Sequence, residues 1–122
     1  MINAMILAYE SCKDRFDRPI TFDEFSAMFA DWECISVEVK GECAGALMCK
    51  EHEIHACIIP KFHKKWLSKK IWKDVFVTRL NKYGELFTGV KADNVIGKAF
   101  VERCGFTVYD RDANVVIYRL GG

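Results

Sequence analysis

The chain has 122 residues, 51% of them hydrophobic and 13% aromatic, which is enough for one packed core and too short for two ordinary domains. Eighteen basic residues against seventeen acidic ones leave a formal charge of +1, which excludes a global pull toward nucleic acid or an anionic membrane and makes any basic site a local one. Six cysteines are scattered singly, with no Cys-x-x-Cys pair, a usage that points to packed free thiols in a reducing cytoplasm.

No basic segment followed by a long apolar stretch opens the chain, and no apolar run is long enough to cross a bilayer, so neither export nor membrane insertion is expected. Residues 2–16 place Ile2, Met5, Ile6, Tyr9, Cys12 and Phe16 at helical spacing and predict an amphipathic helix. Pro19 ends that region. Thr21 and Glu24 then have the spacing of a capping box, with Ile20 and Phe25 as a hydrophobic staple, which predicts a second helix over about 22–30.

From Trp32 the period changes to two: Ile35, Val37 and Val39 face one way and Ser36 and Glu38 the other. Lys40-Gly41-Glu42 turns the chain into a returning strand, 43–50, and a turn near Glu51-His52 leads to a third strand, 53–60. After Pro60, the recurrence of Phe62, Trp66, Trp72, Val75, Phe76 and Leu80 predicts one long helix closed by Gly84. Residues 85–92 read as a strand, Asp93 or Asn94 as the cap of the next helix, and Gly105 as the left-handed residue that ends it. A hairpin of 106–109 and 113–118, turned by Asp110-Arg-Asp112, completes the chain.

The segment Asn94-Val-Ile-Gly-Lys-Ala-Phe-Val-Glu-Arg-Cys-Gly-Phe106 resembles the N-x-x-A-x-x-L-Y-E-K-x-G-F stretch of the GCN5-related N-acetyltransferase (GNAT) superfamily. The element order agrees with that resemblance over nearly the whole chain. It implies a single GNAT-like domain over 1–122, of α+β (three-layer α/β) class: a mixed, mostly antiparallel sheet flanked by helices and splayed between the family's fourth and fifth strands. The strand at 53–60 is the candidate fourth strand. Pro60-Lys-Phe62-His-Lys64-Lys65-Trp66-Leu-Ser68 is similar to the family's P-x-Y-R-G-K-G-L-G phosphate loop, with His63 for arginine and Lys64, Trp66 and Ser68 where glycines are usual.

The resemblance implies acetyl-coenzyme A as cofactor and a small-molecule or protein amine as acceptor. Backbone groups at Cys57, Ile58 and Ile59 would hold the pantetheine arm. His63, Lys64, Lys65 and Ser68, at the start of the following helix, would hold the phosphates. Asn94 either contacts the cofactor through its amide or simply caps its helix.

Glu53, His55 and Cys57 alternate onto one face of the candidate fourth strand, and His55 or Glu53 is the expected base, because a histidine titrates near neutrality and a carboxylate can be raised toward it. The family's proton-donating tyrosine falls at Val101, so water, Tyr109 or Tyr118 would have to replace it. That substitution, with the altered loop, makes a phage-type divergent member the expectation, acting in the host cytoplasm. Its alternative function is that of an inactive protein of phage head assembly or host-factor binding.

The six lysines between Lys61 and Lys73, interleaved with Trp66 and Trp72, also suit contacts to nucleic acid, but helical spacing puts both indoles on the core side and leaves a solvated basic face as the simpler account. His52, Glu53, His55 and Cys57 lack the closed spacing of a zinc site, and no metal is expected.

Overall fold

The computed structural model describes residues 4–122. The chain forms two compact units, one of residues 1–50 and 55–69, the other of 51–54 and 70–122. The six strands are hydrogen-bonded in the order β1-β2-β3-β4-β6-β5, forming the mixed, mostly antiparallel sheet with flanking helices that the resemblance implies.

In the first unit, α1 (Ala4–Cys12) runs into a short 3-10 turn at Lys13–Arg15. The first residues of the expected helix, including Ile2, lie outside the described ones. The capping box forms in both directions: Glu24 N donates to Thr21 Oγ1 at 3.1 Å, and Thr21 N donates to Glu24 Oε1 at 3.0 Å, starting α2 (Phe22–Met28). Arg18 joins this cap at 2.9 Å from Glu24 Oε2. With the start of α2 fixed, Phe25 drops into the core, where it is fully buried, and that burial contributes about 1.5–3 kcal/mol. Ala8, Cys12, Ile20, Ala46, Met48 and Cys57 complete the cluster, so both staple residues end in one core.

β1 (Glu33–Val39) pairs antiparallel with β2 (Glu42–Lys50). The connection places Lys40 and Gly41 at φ of 52° and 81°, the two successive positive values that a type I′ hairpin turn requires. The register slips between Val37↔Gly45 and Glu38↔Cys43, leaving Ala44 as the extra residue of a β-bulge. β3 (Glu53–Ile58) follows and stops short of Pro60, as a residue without an amide hydrogen dictates.

The long helix expected after Pro60 is broken. Pro60–Phe62 is a single 3-10 turn, residues 63–65 a turn, and 66–68 irregular. The helix starts only at Lys69, as α3 (Lys69–Ile71), widens into a π-helical stretch at Trp72–Val77, and finishes as α4 (Thr78–Tyr83). Proline and the bulky Phe62 and Trp66 turn the chain inward here; both aromatic side chains are buried, and their spacing imitates one helical stripe. Gly84, at φ 81°, ends α4 as expected, donating to the Leu80 carbonyl at 2.7 Å.

In the second unit, β4 (Glu85–Lys91) pairs antiparallel with β6 (Val115–Gly121), which pairs antiparallel with β5 (Thr107–Arg111). Leu86, Val90, Val116 and Tyr118 are buried on one face. α5 (Val95–Arg103) lies between β4 and β5 in the chain. It closes with Gly105 at φ 99°, where Gly105 N donates to the Glu102 carbonyl and Phe106 N to the Val101 carbonyl, the paired bonds of a Schellman cap. Asp112 Oδ1 accepts from Asn114 N and Val115 N and makes the final hairpin turn.

Candidate active site

β3 carries the residues that the sequence marks for chemistry, and its backbone decides which edge each one faces. Ile59 N donates to the Ala44 carbonyl of β2 at 3.0 Å. The Ile59 amide is therefore engaged, contrary to the expectation that it is open to the pantetheine arm. In a strand, successive residues send their N–H and C=O groups to opposite edges, so Ile58 and not Ile59 presents its amide to the edge away from β2. The Ile58 carbonyl lies 2.8 Å from His63 Nε2. His63, placed by the sequence among phosphate ligands, instead ties the turn after β3 back to the strand.

On the opposite edge of β3, pairing with β4 is parallel and consists of one residue pair, Glu53↔Phe87, where Phe87 N donates to the His52 carbonyl at 2.8 Å.

The bulge in β2 secures the end of β3. Gly45 has φ 134°, and a Cβ there would overlap the Cys57 carbonyl. Only glycine allows the two backbones to approach this closely.

The row Glu53, His55, Cys57 divides by burial: Glu53 is exposed, His55 half-buried and Cys57 buried. The His55 imidazole meets the Trp32 indole at 5.4 Å between centroids and 44° between planes. Cys57 is a core residue whose thiol is hydrogen-bonded to Cys12. That bond is the largest cause that brings Cys12 down to about 6, reinforced by Ser11 and the Arg15 charge against an opposing effect of burial. The same bond, with burial, pushes Cys57 well up. Burial also raises Cys104, as its apolar setting predicts. Cys12 carries no motif signal, and only its contact with Cys57 discloses its acidity.

The phosphate loop differs from a glycine-rich cradle. His63 N donates to Pro60 O, Lys65 N and Trp66 N to Phe62 O, and Ser68 N to Trp66 O. These amides are closed on local carbonyls and offer no anion nest. The side chains of Lys64, Lys65 and Ser68 are exposed, whereas Lys61 is paired with Glu42 at 2.8 Å.

Glu53 and Asn94 belong to the second unit. Asn94 Oδ1 accepts from Gly97 N at 2.9 Å, so this side chain caps α5. Val101 is half-buried on α5. Tyr118 is buried and donates to Glu102 Oε2 at 2.6 Å; burial first, then this carboxylate, pushes it up to about 12. Tyr109 is the extra residue of a second bulge, between Val108↔Tyr118 and Asp110↔Ile117. It is exposed, with its ring against Phe87 at 4.9 Å and the Arg119 guanidinium at 5.5 Å. Among the described residues no cluster of three or more His, Cys, Asp or Glu is arranged to hold a metal ion, and no helix is long and apolar enough to cross a membrane.

No protein-family model matches the chain, and no curated protein is similar to it at a significant level. Solved structures do match. An N-acetyltransferase from Staphylococcus aureus Mu50 superposes with a TM-score of 0.67 at 17% identity, covering 96% of this chain and 90% of that one. The ribosomal-protein-S18-alanine N-acetyltransferase of Escherichia coli gives 0.66 at 16%, covering 96% and 86%. The PaiA N-acetyltransferase of Thermoplasma acidophilum, solved in complex with coenzyme A, gives 0.64 at 15%, covering 97% and 90%. The chain therefore has the GNAT fold.

Proposed function

We propose that this chain is an acetyl-coenzyme A-dependent N-acetyltransferase that delivers an acetyl group to an amine, carried by a small molecule or a protein, in the cytoplasm. The observation that carries this reading is the single β3–β4 pair at Glu53↔Phe87. At the other end of β3, the Ile58 amide faces the edge away from β2. The fold, shared with a protein solved with coenzyme A, supports the same reading.

Bound acetyl-coenzyme A would supply the acetyl group as an activated thioester. Ile58, through its edge-facing amide, would hydrogen-bond the pantetheine arm, and Cys57 would contribute backbone alone. Ile59, engaged with Ala44, would only fix the strand end. Lys64, Lys65 and the Ser68 hydroxyl would hold the phosphates by charge-assisted hydrogen bonds, with His63 bracing their turn. His55 would take the proton of the acceptor amine, directly or through water, with Glu53 as the alternative base. Val101 has no proton to give, so water would protonate the departing thiolate. Asn94 would act through the α5 cap.

Titration of acetyl-coenzyme A should raise the melting temperature, since a ligand of the folded state stabilises it by mass action; no shift at roughly millimolar ligand overturns the reading. With turnover established, His55→Ala should lower kcat far more than cofactor affinity.

Val101 favours a second reading, in which a phage-encoded protein keeps the fold without the chemistry and binds a virion or host protein. Cofactor binding without turnover on any amine would select it.

A further inference from the structure

Two thiols that the acetyl-transfer reading leaves idle meet in the core of the first unit. Cys12 and Cys57 are both reduced, 7% and 4% exposed, and packed in one cluster with Phe25, Ala46 and Met48. Ser11 Oγ lies 3.3 Å from Cys12 Sγ, and the exposed Arg15, three residues further on, brings positive charge to both thiols. We infer that Cys12 and Cys57 form a hydroperoxide-responsive dithiol, in which Cys12 attacks the peroxide and Cys57 closes the disulfide.

The backbone suits the two roles. Cys57 is fixed on β3, where Gly45 packs against its carbonyl and the Ile59 amide is bound to Ala44. Cys12 ends α1 at φ −112° and ψ −16°, where the coil changes to a 3-10 turn, so a small shift at Cys12 need not be carried through a continuing α-helix. The other nearby thiols are placed differently. Cys49 follows Met48 on β2 and therefore points to the opposite face of the sheet. Cys34 is opposite Met48 in the β1–β2 ladder and is exposed, but burial and Cys43 push it up, which keeps it protonated and slow.

The chemistry balances with a hydroperoxide as the only co-reactant. The Cys12 thiolate, held low by the Cys57 hydrogen bond and then by Ser11 and Arg15, attacks the peroxide; the O–O bond breaks, hydroxide leaves as water, and sulfur is oxidised to sulfenic acid. The negative charge on Cys12 is then gone, and with it the largest cause that holds the proton on Cys57. Cys57 sulfur attacks Cys12 sulfur, the S–O bond breaks, and the departing hydroxide takes the Cys57 proton as water.

The test treats the full chain with hydrogen peroxide, alkylates the remaining thiols after denaturation, and maps the peptides by mass spectrometry. The parent should lose about 2 Da, keep four alkylatable thiols of its six, and yield one linked pair, Cys12 with Cys57, that dithiothreitol separates. Cys12 should be consumed about tenfold faster than the exposed Cys34, at a rate that rises as pH passes through about 6. In Cys57→Ala the reaction should stop at a Cys12 sulfenic acid that dimedone captures, and in Cys12→Ser no bridge to Cys57 should form. Consumption of Cys34 ahead of Cys12, a bridge from Cys57 to Cys34, or Cys12 passing to sulfinic acid in the parent without a bridge overturns the inference. The parent measurements need no variant to fold and no turnover.

Discussion

Tyr118 and Glu102 are locked together by a 2.6 Å hydrogen bond that leaves the phenol 1% exposed. This removes Tyr118 from the candidates for the missing proton donor, since a phenol pushed up to about 12 holds its proton against a thiolate at neutral pH. A group raised in the folded state stabilises fully below its unfolded value, and that contribution disappears as pH climbs through the folded one. Tyr118→Phe should therefore lower stability by roughly 1 kcal/mol at neutral pH, with the difference from the parent narrowing from pH 10 toward 12. Urea melts across that range measure it, and an altered pH–rate profile in the variant would contradict the bystander role.

Gly45→Ala should be among the most disruptive single-methyl additions in the chain. The added Cβ would meet backbone, the Cys57 carbonyl, and cannot be relieved by a side-chain rotation. A loss of roughly 3 kcal/mol or more is expected. Gly41→Ala is the control: it also has positive φ, but its new methyl meets nothing within 4 Å, so it should cost about 1 kcal/mol. Equal losses in the two would show that β2 and β3 do not need their close approach.

The Cys12–Cys57 pair should titrate in two widely separated steps. Cys12 is lowered to about 6, so its contribution to stability is present above the unfolded thiol value and is lost as pH falls through about 6. Cys57 is raised, and its contribution is lost at the alkaline end. Ultraviolet thiolate absorbance should show one early equivalent in the parent. That equivalent should vanish in Cys12→Ser and move upward in Cys57→Ala, which removes the donor; an unmoved step in Cys57→Ala would refute the pairing.

Lysine side chains in place of an amide cradle should make cofactor binding unusually sensitive to salt. Lys64→Ala/Lys65→Ala is expected to weaken acetyl-coenzyme A about tenfold at low ionic strength, and the gap should close as salt screens these exposed charges. Calorimetric titrations at several salt concentrations test it, and a gap independent of salt would assign the phosphates to other groups.

Where the sequence was legible, the governing physics was local. The capping box, the Lys40-Gly41 turn, the alternation through Val37 and the left-handed glycines at 84 and 105 follow from a few neighbouring residues, and each forms as read. The helix after Pro60 misled because Phe62 and Trp66 are buried from turns at the same spacing that a helix would give. The engaged Ile59 amide was hidden for another reason. Strand alternation is visible in a sequence, but which phase faces which neighbour depends on the Ala44 bulge, and bulges leave little mark beyond a glycine. Trp32 reads only as the start of a strand, since its partners Phe29 and His55 come together through packing.

The wide turn at Trp72–Val77 gives the chain somewhere to absorb a change of length. Thr78 donates from its amide to the Lys73 carbonyl five residues back, and from its hydroxyl to the same oxygen at 3.0 Å. One surplus residue is thereby taken up within a single loop of the coil. The flanking α-helical turns stay in phase, and Leu80 keeps its place against Gly121, where no Cβ fits. Losing one residue between 72 and 77 would tighten the coil to ordinary pitch and leave that seating intact, whereas the same loss between 78 and 83 would swing Leu80 away from it.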